Sequence, residues 1–167
     1  MSLRDVRENR EGAGVHRGPE DLRIRPMEHG DVARVAELES EAFTNPWKPR
    51  TFRRLLERPG PELWVAELPG AGVVGYFVLW VAHEEGELAN LAVAPEHRRR
   101  GIGSALLDRV LERARDGGVR SLFLEVRVSN DEAVRLYEGR GFEVIAEREA
   151  YYDRPKEDAL VMMKNLW

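Results

Sequence analysis

The chain of 167 residues contains no cysteine, and this absence excludes disulfide bonds, thiolate zinc sites and cysteine nucleophiles. Its four histidines are scattered and lack a metal-binding spacing such as H-E-x-x-H. The longest apolar stretch, Val73 to Ala82, falls short of the ~20 residues that cross a bilayer. The first residues contain no apolar run of the kind found in signal peptides. We therefore expect no metal, no membrane association and a cytoplasmic location.

The composition is that of a globular protein, with 43% hydrophobic and 34% charged residues. The net charge of −4 gives no general reason to expect a nucleic-acid partner. Residues 1–20 are polar, rich in glycine and charge, and aperiodic, which predicts a disordered tail. The length suits one domain, which we place at residues 21–167.

Hydrophobic spacing predicts the element order β-α-α-β-β-β-α-β-α-β-β, without a repeat or an internal linker. The predicted strands are 22–25, 62–68, 73–82, 87–93, 121–126, 141–149 and 159–163. The predicted helices are 31–43, 48–58, 101–116 and 130–139, the last with Ser129 or Asn130 as its N-cap.

The segment from Arg98 to Ser104 connects a predicted strand to the clearest predicted helix. A loop that enters a helix presents unpaired amides and the positive end of the helix dipole. Gly101 and Gly103 would let the main chain approach an anion closely, so the pattern indicates a phosphate site. The simpler alternative is an arginine-rich surface loop that contains two glycines.

Two other phosphate-binding motifs fit this segment less well. In a dinucleotide fingerprint, Glu125 would be the ribose-binding acid, but Leu106 occupies the third glycine position. Charged residues also separate the strand from Gly101, and a second mononucleotide half is missing from the predicted order. A Walker A loop is excluded because no Gly-Lys-Ser/Thr follows.

The third interpretation is a pyrophosphate loop for coenzyme A. The run Arg98-Arg99-Arg100-Gly101-Ile102-Gly103 resembles the Arg/Gln-x-x-Gly-x-Gly/Ala motif of the GCN5-related N-acetyltransferases (GNAT). The stretches at 88–95, 124–130 and 133–142 resemble the strands and helix around that motif, so the resemblance covers residues 22–164. It is nearest to the bacterial ribosomal-protein-alanine N-acetyltransferases, which also share Asn45-Pro46-Trp47, Tyr151-Tyr152 and Glu157-Asp158-Ala159. The tail, Val128 and Gly139-Arg140 depart from that pattern.

The resemblance implies an α/β fold with a mixed, mostly antiparallel sheet of about seven strands and about four helices, splayed between the fourth and fifth strands. These two strands should run parallel across the 101–116 helix. Acetyl-CoA would be the co-substrate, with its pantetheine arm paired to the fourth strand as an added strand. The implied binding residues are Leu91, Ala92, Val93, Arg98, Arg99, Arg100, Gly101, Ile102, Gly103, Ser104, Asn130 and Tyr137.

The resemblance also implies that Glu125 is a general base and Tyr137 the acid that protonates the departing thiolate. An α-amino group, with a pKa near ~8, is partly neutral at pH 7 and needs only a modest base. The amide of Val93 would stabilise the oxyanion. In the simpler alternative, Glu125 only pairs with a neighbour such as Arg127, and Tyr137 is a core aromatic residue.

The acceptor is open among three hypotheses: a protein N-terminal amine, a small amine or lysine, and no acceptor in a non-catalytic acyl-CoA-binding module. For the first hypothesis the resemblance implies an N-terminal alanine of a ribosomal protein, and Trp47, Tyr151 and Tyr152 would line a peptide groove. The simpler alternative for these aromatic residues is packing within a hairpin or between helices. Glu84, Glu85 and Glu87 form either a solvated turn or a cluster that attracts a basic peptide. We expect a monomer or weak dimer.

Overall fold

The computed structural model describes residues 18–167 and contains the predicted order of elements. The strands are β1 (Arg23–Pro26), β2 (Glu62–Leu68), β3 (Gly72–Ala82), β4 (Glu85–Val93), β5 (Ser121–Arg127), β6 (Glu143–Tyr152) and β7 (Glu157–Asn165). The helices are α1 (Val32–Ala42), α2 (Pro49–Leu56), α3 (Ile102–Asp116) and α4 (Asp131–Glu138). Of the predicted tail, residues 1–17 lie outside the described residues, and the Leu22 amide donates to the Pro19 carbonyl in a turn before β1.

The seven strands form one sheet in the order β1-β2-β3-β4-β5-β7-β6. All neighbouring strands are antiparallel except β4 and β5, which are parallel and joined through α3. This confirms the predicted sheet and its crossover. The sheet separates two apolar cores, one under α3 and α4 and the other under α1 and α2.

The ends of three strands differ from the prediction by two residues or more, and the third of them, β7, extends two residues further at each end than the predicted 159–163. β4 begins at Glu85, and β6 continues to Tyr152, where it pairs with Glu157 of β7. Nearly every residue of β6 is exposed, so no hydrophobic alternation marks its end in the sequence. Tyr151 and Tyr152 therefore belong to the hairpin strand rather than to the loop after it.

β4 and β5 separate part-way along their length, as predicted. They pair only from Glu85 to Leu88 on β4 and from Ser121 to Leu124 on β5. At the same point, β4 has a bulge at Ala89, since Val78 pairs with Asn90 and Leu79 pairs with Leu88. Beyond the bulge, the edge of β4 that faced β5 has no strand partner among the described residues.

The direction of the β4 amides follows from one hydrogen bond. The Ala94 amide donates to the Val74 carbonyl, so it points toward β3. Residues of an antiparallel strand alternate in the edge to which their main-chain groups point. The amides of Val93 and Leu91 therefore point toward the open edge, into the gap between β4 and β5.

A buried carboxylate connects α1 to the strands beside this gap. Glu39 is 2% exposed and accepts hydrogen bonds from the Tyr76 hydroxyl, the Asn90 side-chain amide and the Trp47 main-chain amide. No cationic side chain of residues 18–167 pairs with it. Glu39 thus fixes the loop between α1 and α2 against β3 and β4, next to the bulge.

We expect Glu39→Ala to destabilise the fold strongly, because two buried donors and one partly buried donor would lose their acceptor. The loss should be about 3 kcal/mol, which lowers the Tm by roughly 6–12 °C for a domain of this size. Glu39→Gln keeps the shape and one acceptor oxygen, so its Tm should fall by less than half as much. Thermal unfolding of the two variants tests this, and equal losses would contradict it.

Candidate active site

A cavity of about 650 Å³ opens beside the free edge of β4. We call it the loop cavity, because the segment from Arg98 to Ser104 forms one of its walls. Ten of the twelve predicted cofactor-binding residues line it: Leu91, Ala92, Val93, Arg98, Arg99, Gly101, Ile102, Gly103, Ser104 and Asn130. Arg100 and Tyr137 are not among its lining residues.

The loop before α3 presents main-chain donors to this cavity. Gly101 is the N-cap of α3 with a φ of 81°, and Arg99 has a φ of 61°, so the loop winds through two left-handed positions. Within residues 18–167, the amides of 99–104 make no hydrogen bond, and no side chain caps the helix. Unpaired amides at the start of a helix attract an anion.

Two polar side chains of the loop cavity, those of Arg98 and Asn130, make hydrogen bonds that hold its walls. The Arg98 side chain donates to the Val93 carbonyl at 3.3 Å, which holds the loop against the open edge of β4. Asn130 is the N-cap of α4, as predicted, and its Oδ1 accepts the Ala133 amide at 3.2 Å. The cavity therefore has an anion-binding end at α3 and a strand edge with free amides at β4.

A second cavity of about 530 Å³ lies beside the paired ends of β4 and β5. Glu85, Glu87 and Glu125 line it, so we call it the acidic cleft. Its other walls are formed mainly by aromatic and apolar side chains, with one arginine: Trp80, Ala82, Phe123, Leu124, Val161, Tyr151 and Arg148. Glu84 instead lies on the surface and pairs with Arg120 at 3.2 Å.

Glu125 lies where the pairing of β4 with β5 has just ended. Its side chain is 22% exposed, and its Oε1 is 3.2 Å from a guanidinium nitrogen of Arg148. The sequence suggested Arg127 as the partner, but Arg127 pairs with Glu157 at 3.3 Å. Arg148 is more than half exposed, and exposed ion pairs contribute little, so an incoming cationic amine can compete for the carboxylate.

Tyr137 is buried in α4, where its ring packs edge-on against Phe142 at 5.7 Å between centroids. Burial, followed by the proximity of Tyr152, raises the pKa of Tyr137. Within residues 18–167 its hydroxyl makes no hydrogen bond. Every fully buried side-chain oxygen in that part of the chain has a hydrogen-bond partner, so the Tyr137 hydroxyl is not fully buried. The hydroxyl is therefore open to accessible space, and it stays protonated at neutral pH.

The two tyrosines of β6 lie near Glu125, and Tyr152 is also near Tyr137. Tyr151 and Tyr152 pack edge-on at 5.0 Å between ring centroids. Interaction of its hydroxyl with the Glu125 carboxylate raises the pKa of Tyr151, with burial as the second cause. Burial, then Glu125, raises the pKa of Tyr152 to about 12. The proximity of Tyr152 also raises the pKa of Tyr137, so the charges of Glu125 and of the three tyrosines act on one another.

Trp47 lies apart from this group. It packs against Phe52 at 5.6 Å between ring centroids and belongs to the core under α1 and α2. Its neighbour in the loop, Phe43, is 39% exposed and lines the loop cavity.

Sequence reasoning missed Arg148 and the polar partners of Arg127, which include Thr44. Arg148 precedes the Tyr151-Tyr152 pair on β6, but only the register of β6 with β7 brings it next to Glu125. Residues 18–167 contain no group of three or more acidic or histidine side chains that could hold a metal ion. None of the helices in that part has the length and apolar character needed to cross a membrane.

A protein-family model described as the acetyltransferase (GNAT) family matches residues 32–142. The chain is 34% identical over 142 residues to the [ribosomal protein bS18]-alanine N-acetyltransferase of Escherichia coli K12, covering 83% of this chain and 94% of the relative. It is 35% identical over 152 residues to the N-alpha-acetyltransferase RimI of Mycobacterium tuberculosis, covering 87% and 94%.

Among solved structures, the ribosomal-protein-S18-alanine N-acetyltransferase from Escherichia coli matches with a TM-score of 0.80 and 31% identity. The match covers 87% of this chain and 94% of that chain. The likeness in fold and in sequence therefore extends over nearly all of the described residues.

Proposed function

Because this chain belongs to the acetyltransferase (GNAT) family, we propose that it acetylates the free N-terminal amine of a protein, specifically an N-terminal alanine of a ribosomal protein. It is an N-acetyltransferase, and acetyl-CoA is the acetyl donor. The observation that carries the proposed acceptor is the acidic cleft, which adjoins the gap between β4 and β5 and contains Glu125.

The loop cavity fits the donor. A pyrophosphate needs main-chain donors and positive charge, which the free amides of 99–104 and the arginines of the same loop supply. A pantetheine arm carries amide groups that can pair with a strand edge, and the Leu91 and Val93 amides point to such an edge. Acetyl-CoA supplies an activated acetyl thioester at this edge.

The acidic cleft fits a cationic acceptor. Three carboxylates at 85, 87 and 125 favour an amine that arrives protonated, and Trp80, Phe123 and Tyr151 offer apolar contacts for the residues after it. An α-amino group loses its proton near pH ~8, whereas a lysine side chain does so near ~10.4. The cleft therefore suits a peptide N-terminus better than a lysine, which would need a stronger base.

We assign the proton transfers to two residues. Glu125 takes the proton of the amine, directly or through water, so that the nitrogen lone pair can attack the thioester carbonyl. The Val93 amide, which points into the gap, stabilises the negative charge that develops on the carbonyl oxygen. Tyr137 donates a proton to the sulfur as the carbon–sulfur bond breaks, and the second proton that the nitrogen loses in becoming an amide passes to solvent, from which Tyr137 is reprotonated.

The preference for alanine is supported by the relatives. The Escherichia coli relative is named for an alanine of ribosomal protein bS18, and its match extends over 94% of its length. The chain departs from the subfamily pattern at Val128, Gly139 and Arg140, and none of these residues lines the acidic cleft.

The test measures thiol release from acetyl-CoA with a short peptide that begins with a free alanine. An otherwise identical peptide with a blocked N-terminus and an internal lysine serves as the control acceptor. We expect release with the free peptide only, because the reaction requires the α-amine. Mass spectrometry should place the added acetyl group on the N-terminal residue.

Release with both peptides would indicate acetylation of lysine. No release with either, together with rapid acetylation of a small amine, would overturn the proposed protein acceptor. A series of peptides that begin with alanine, serine, glycine or methionine then tests the alanine preference, which equal kcat/KM values would contradict.

A further inference from the structure

Arg127, the last residue of β5, is a centre of polar contacts outside the residues assigned above. Its side chain is 22% exposed and donates to the Thr44 hydroxyl at 2.8 Å and to the carbonyls of Asp153 and Pro155, each at 3.1 Å. The same guanidinium pairs with Glu157 at 3.3 Å and stacks over the Tyr152 ring at 4.3 Å.

These contacts join segments that belong to different walls of the two cavities. Thr44 follows Phe43, which lines the loop cavity, and Tyr152 follows Tyr151, which lines the acidic cleft. The Thr44 hydroxyl also donates to the Asp153 carbonyl at 3.3 Å. Arg127 therefore ties the loop between α1 and α2 to the tip of the β6–β7 hairpin, across the end of β5.

Its partner Glu157 extends the tie to a third segment. The second carboxylate oxygen of Glu157 accepts the Ser129 amide at 2.6 Å, directly before Asn130, which lines the loop cavity. Interaction with Ser129, and then with Arg127, lowers the pKa of Glu157, so this carboxylate stays charged at neutral pH. The pair thus holds the segments at 43–44, 129–130 and 151–157 in one arrangement.

The shape of the guanidinium suits this position. It offers five donors in a planar fork and stacks on aromatic rings, whereas a lysine ammonium is a compact charge on a flexible stem. Here one side chain serves two carbonyls, a hydroxyl, a carboxylate and a ring. A lysine at this position could serve only part of that set.

We propose that Arg127 is a positioning residue for the acceptor: by tying the α1–α2 loop to the β6–β7 hairpin, it holds Tyr151 and Tyr152 against Glu125 and sets the passage to the thioester. This inference depends on the proposed function in one respect, because it takes that passage to be the route by which the acceptor reaches the thioester. Most donor contacts, at 91–93 and 98–104, lie on other elements, and Arg127 reaches the loop cavity only indirectly, through the segments of Phe43 and Asn130, so we expect its effect on the donor to be small.

The chain offers a matched control in Arg113 of α3. That side chain donates two hydrogen bonds to Glu62, at 2.9 and 2.7 Å, and stacks on Trp64 at 5.5 Å. It is 34% exposed and lines neither the loop cavity nor the acidic cleft. Arg113→Ala therefore removes the same kinds of contact at a distance from the site.

The experiment compares wild type, Arg127→Ala, Arg127→Lys, Thr44→Val and Arg113→Ala, with whichever amine the wild-type enzyme acetylates. For Arg127→Ala we expect the acceptor KM to rise roughly tenfold while the KM for acetyl-CoA stays within about twofold, because acceptor binding is lost selectively. Arg127→Lys and Thr44→Val should give smaller rises, of about threefold. Arg113→Ala should lower the Tm without changing either KM.

Hydrogen–deuterium exchange, measured without an acceptor, gives a readout independent of the reaction. Exchange in 43–48 and 150–157 should be faster in Arg127→Ala and unchanged in Arg113→Ala. The inference is overturned if both Arg127→Ala and Thr44→Val keep the wild-type acceptor KM, or if Arg113→Ala raises it equally. If Arg127→Ala does not fold, the acceptor KM values of Thr44→Val and Arg127→Lys test the inference, and wild-type values in both would overturn it. Failure of the wild-type enzyme to acetylate any peptide would refute the proposed function instead.

Discussion

Glu125→Gln will lower kcat/KM for the acceptor peptide by roughly a hundredfold or more at pH 7, the usual contribution of a positioned general base. Glutamine keeps the size of the side chain and can still accept a hydrogen bond from Arg148, but it cannot take a proton. The affinity for acetyl-CoA should not change, because Glu125 does not line the loop cavity. Stopped-flow thiol release and calorimetric binding of acetyl-CoA measure the two quantities.

The pH profile separates loss of a base from loss of shape. When no base is present, the reaction depends on amine that is already neutral, and its share increases up to and beyond pH ~8. The deficit of Glu125→Gln should therefore shrink as the pH rises from 6.5 to 9. A deficit that stays constant over this range would argue against a proton-accepting role.

Glu67→Gln provides the matched control for this variant. Glu67 also lies on a strand, pairs with an arginine, Arg25, at 3.2 Å, and is 29% exposed. It lines neither cavity, so the same chemical change there should leave kcat/KM within about twofold, as for most surface substitutions. A comparable loss in Glu67→Gln would mean that the effect of Glu125→Gln comes from strand stability.

The loop before α3 and the parallel crossover could be predicted because their signals are local, whereas the splay of β4 from β5 was implied by the resemblance to the family. The helix repeats its apolar residues over four turns. Gly101 directly precedes it, and Gly103 lies in its first turn. A strand, a loop and a helix in succession then require a parallel crossover. These features depend on neighbours in sequence. The resemblance supplied the twelve predicted cofactor residues, of which ten line one cavity.

The polar contacts between distant segments could not be predicted in the same way. Glu39 lies in a helix with other charged residues, and nothing in the sequence indicates that it is buried under β3 and β4. Glu125 and Arg127 share one face of β5, and their nearness in sequence suggested a pair. The structure gives each a different partner, Arg148 and Glu157, because strand register decides which charges meet.

Tyr137→Phe should lower kcat by roughly a hundredfold while leaving the fold and the affinity for acetyl-CoA intact, since only the hydroxyl is lost. The ring contact with Phe142 remains in the variant, and the wild-type hydroxyl has no partner within residues 18–167 that would be left unpaired. Without that proton donor, the sulfur must leave as a thiolate in a largely buried setting, which raises the barrier.

The ordinary pKa of tyrosine is near ~10, and burial moves the pKa of Tyr137 upward. The hydroxyl therefore remains a donor throughout the neutral range, and the wild-type kcat should show no fall between pH 7 and about pH 10 from its ionisation. The deficit of Tyr137→Phe should consequently be the same at every pH in that range, unlike that of Glu125→Gln. A deficit that changes with pH would show that the hydroxyl titrates.

Tyr76→Phe completes the comparison, because it removes a hydroxyl from a second buried tyrosine. Tyr76 donates to Glu39 in the core, so its loss should cost stability, about 1–3 kcal/mol, with kcat reduced by less than about threefold. Tyr137→Phe should show the opposite pattern, an unchanged Tm with a large loss of kcat. If the two variants lose activity and stability in the same proportion, Tyr137 is a core residue, and another group must protonate the sulfur.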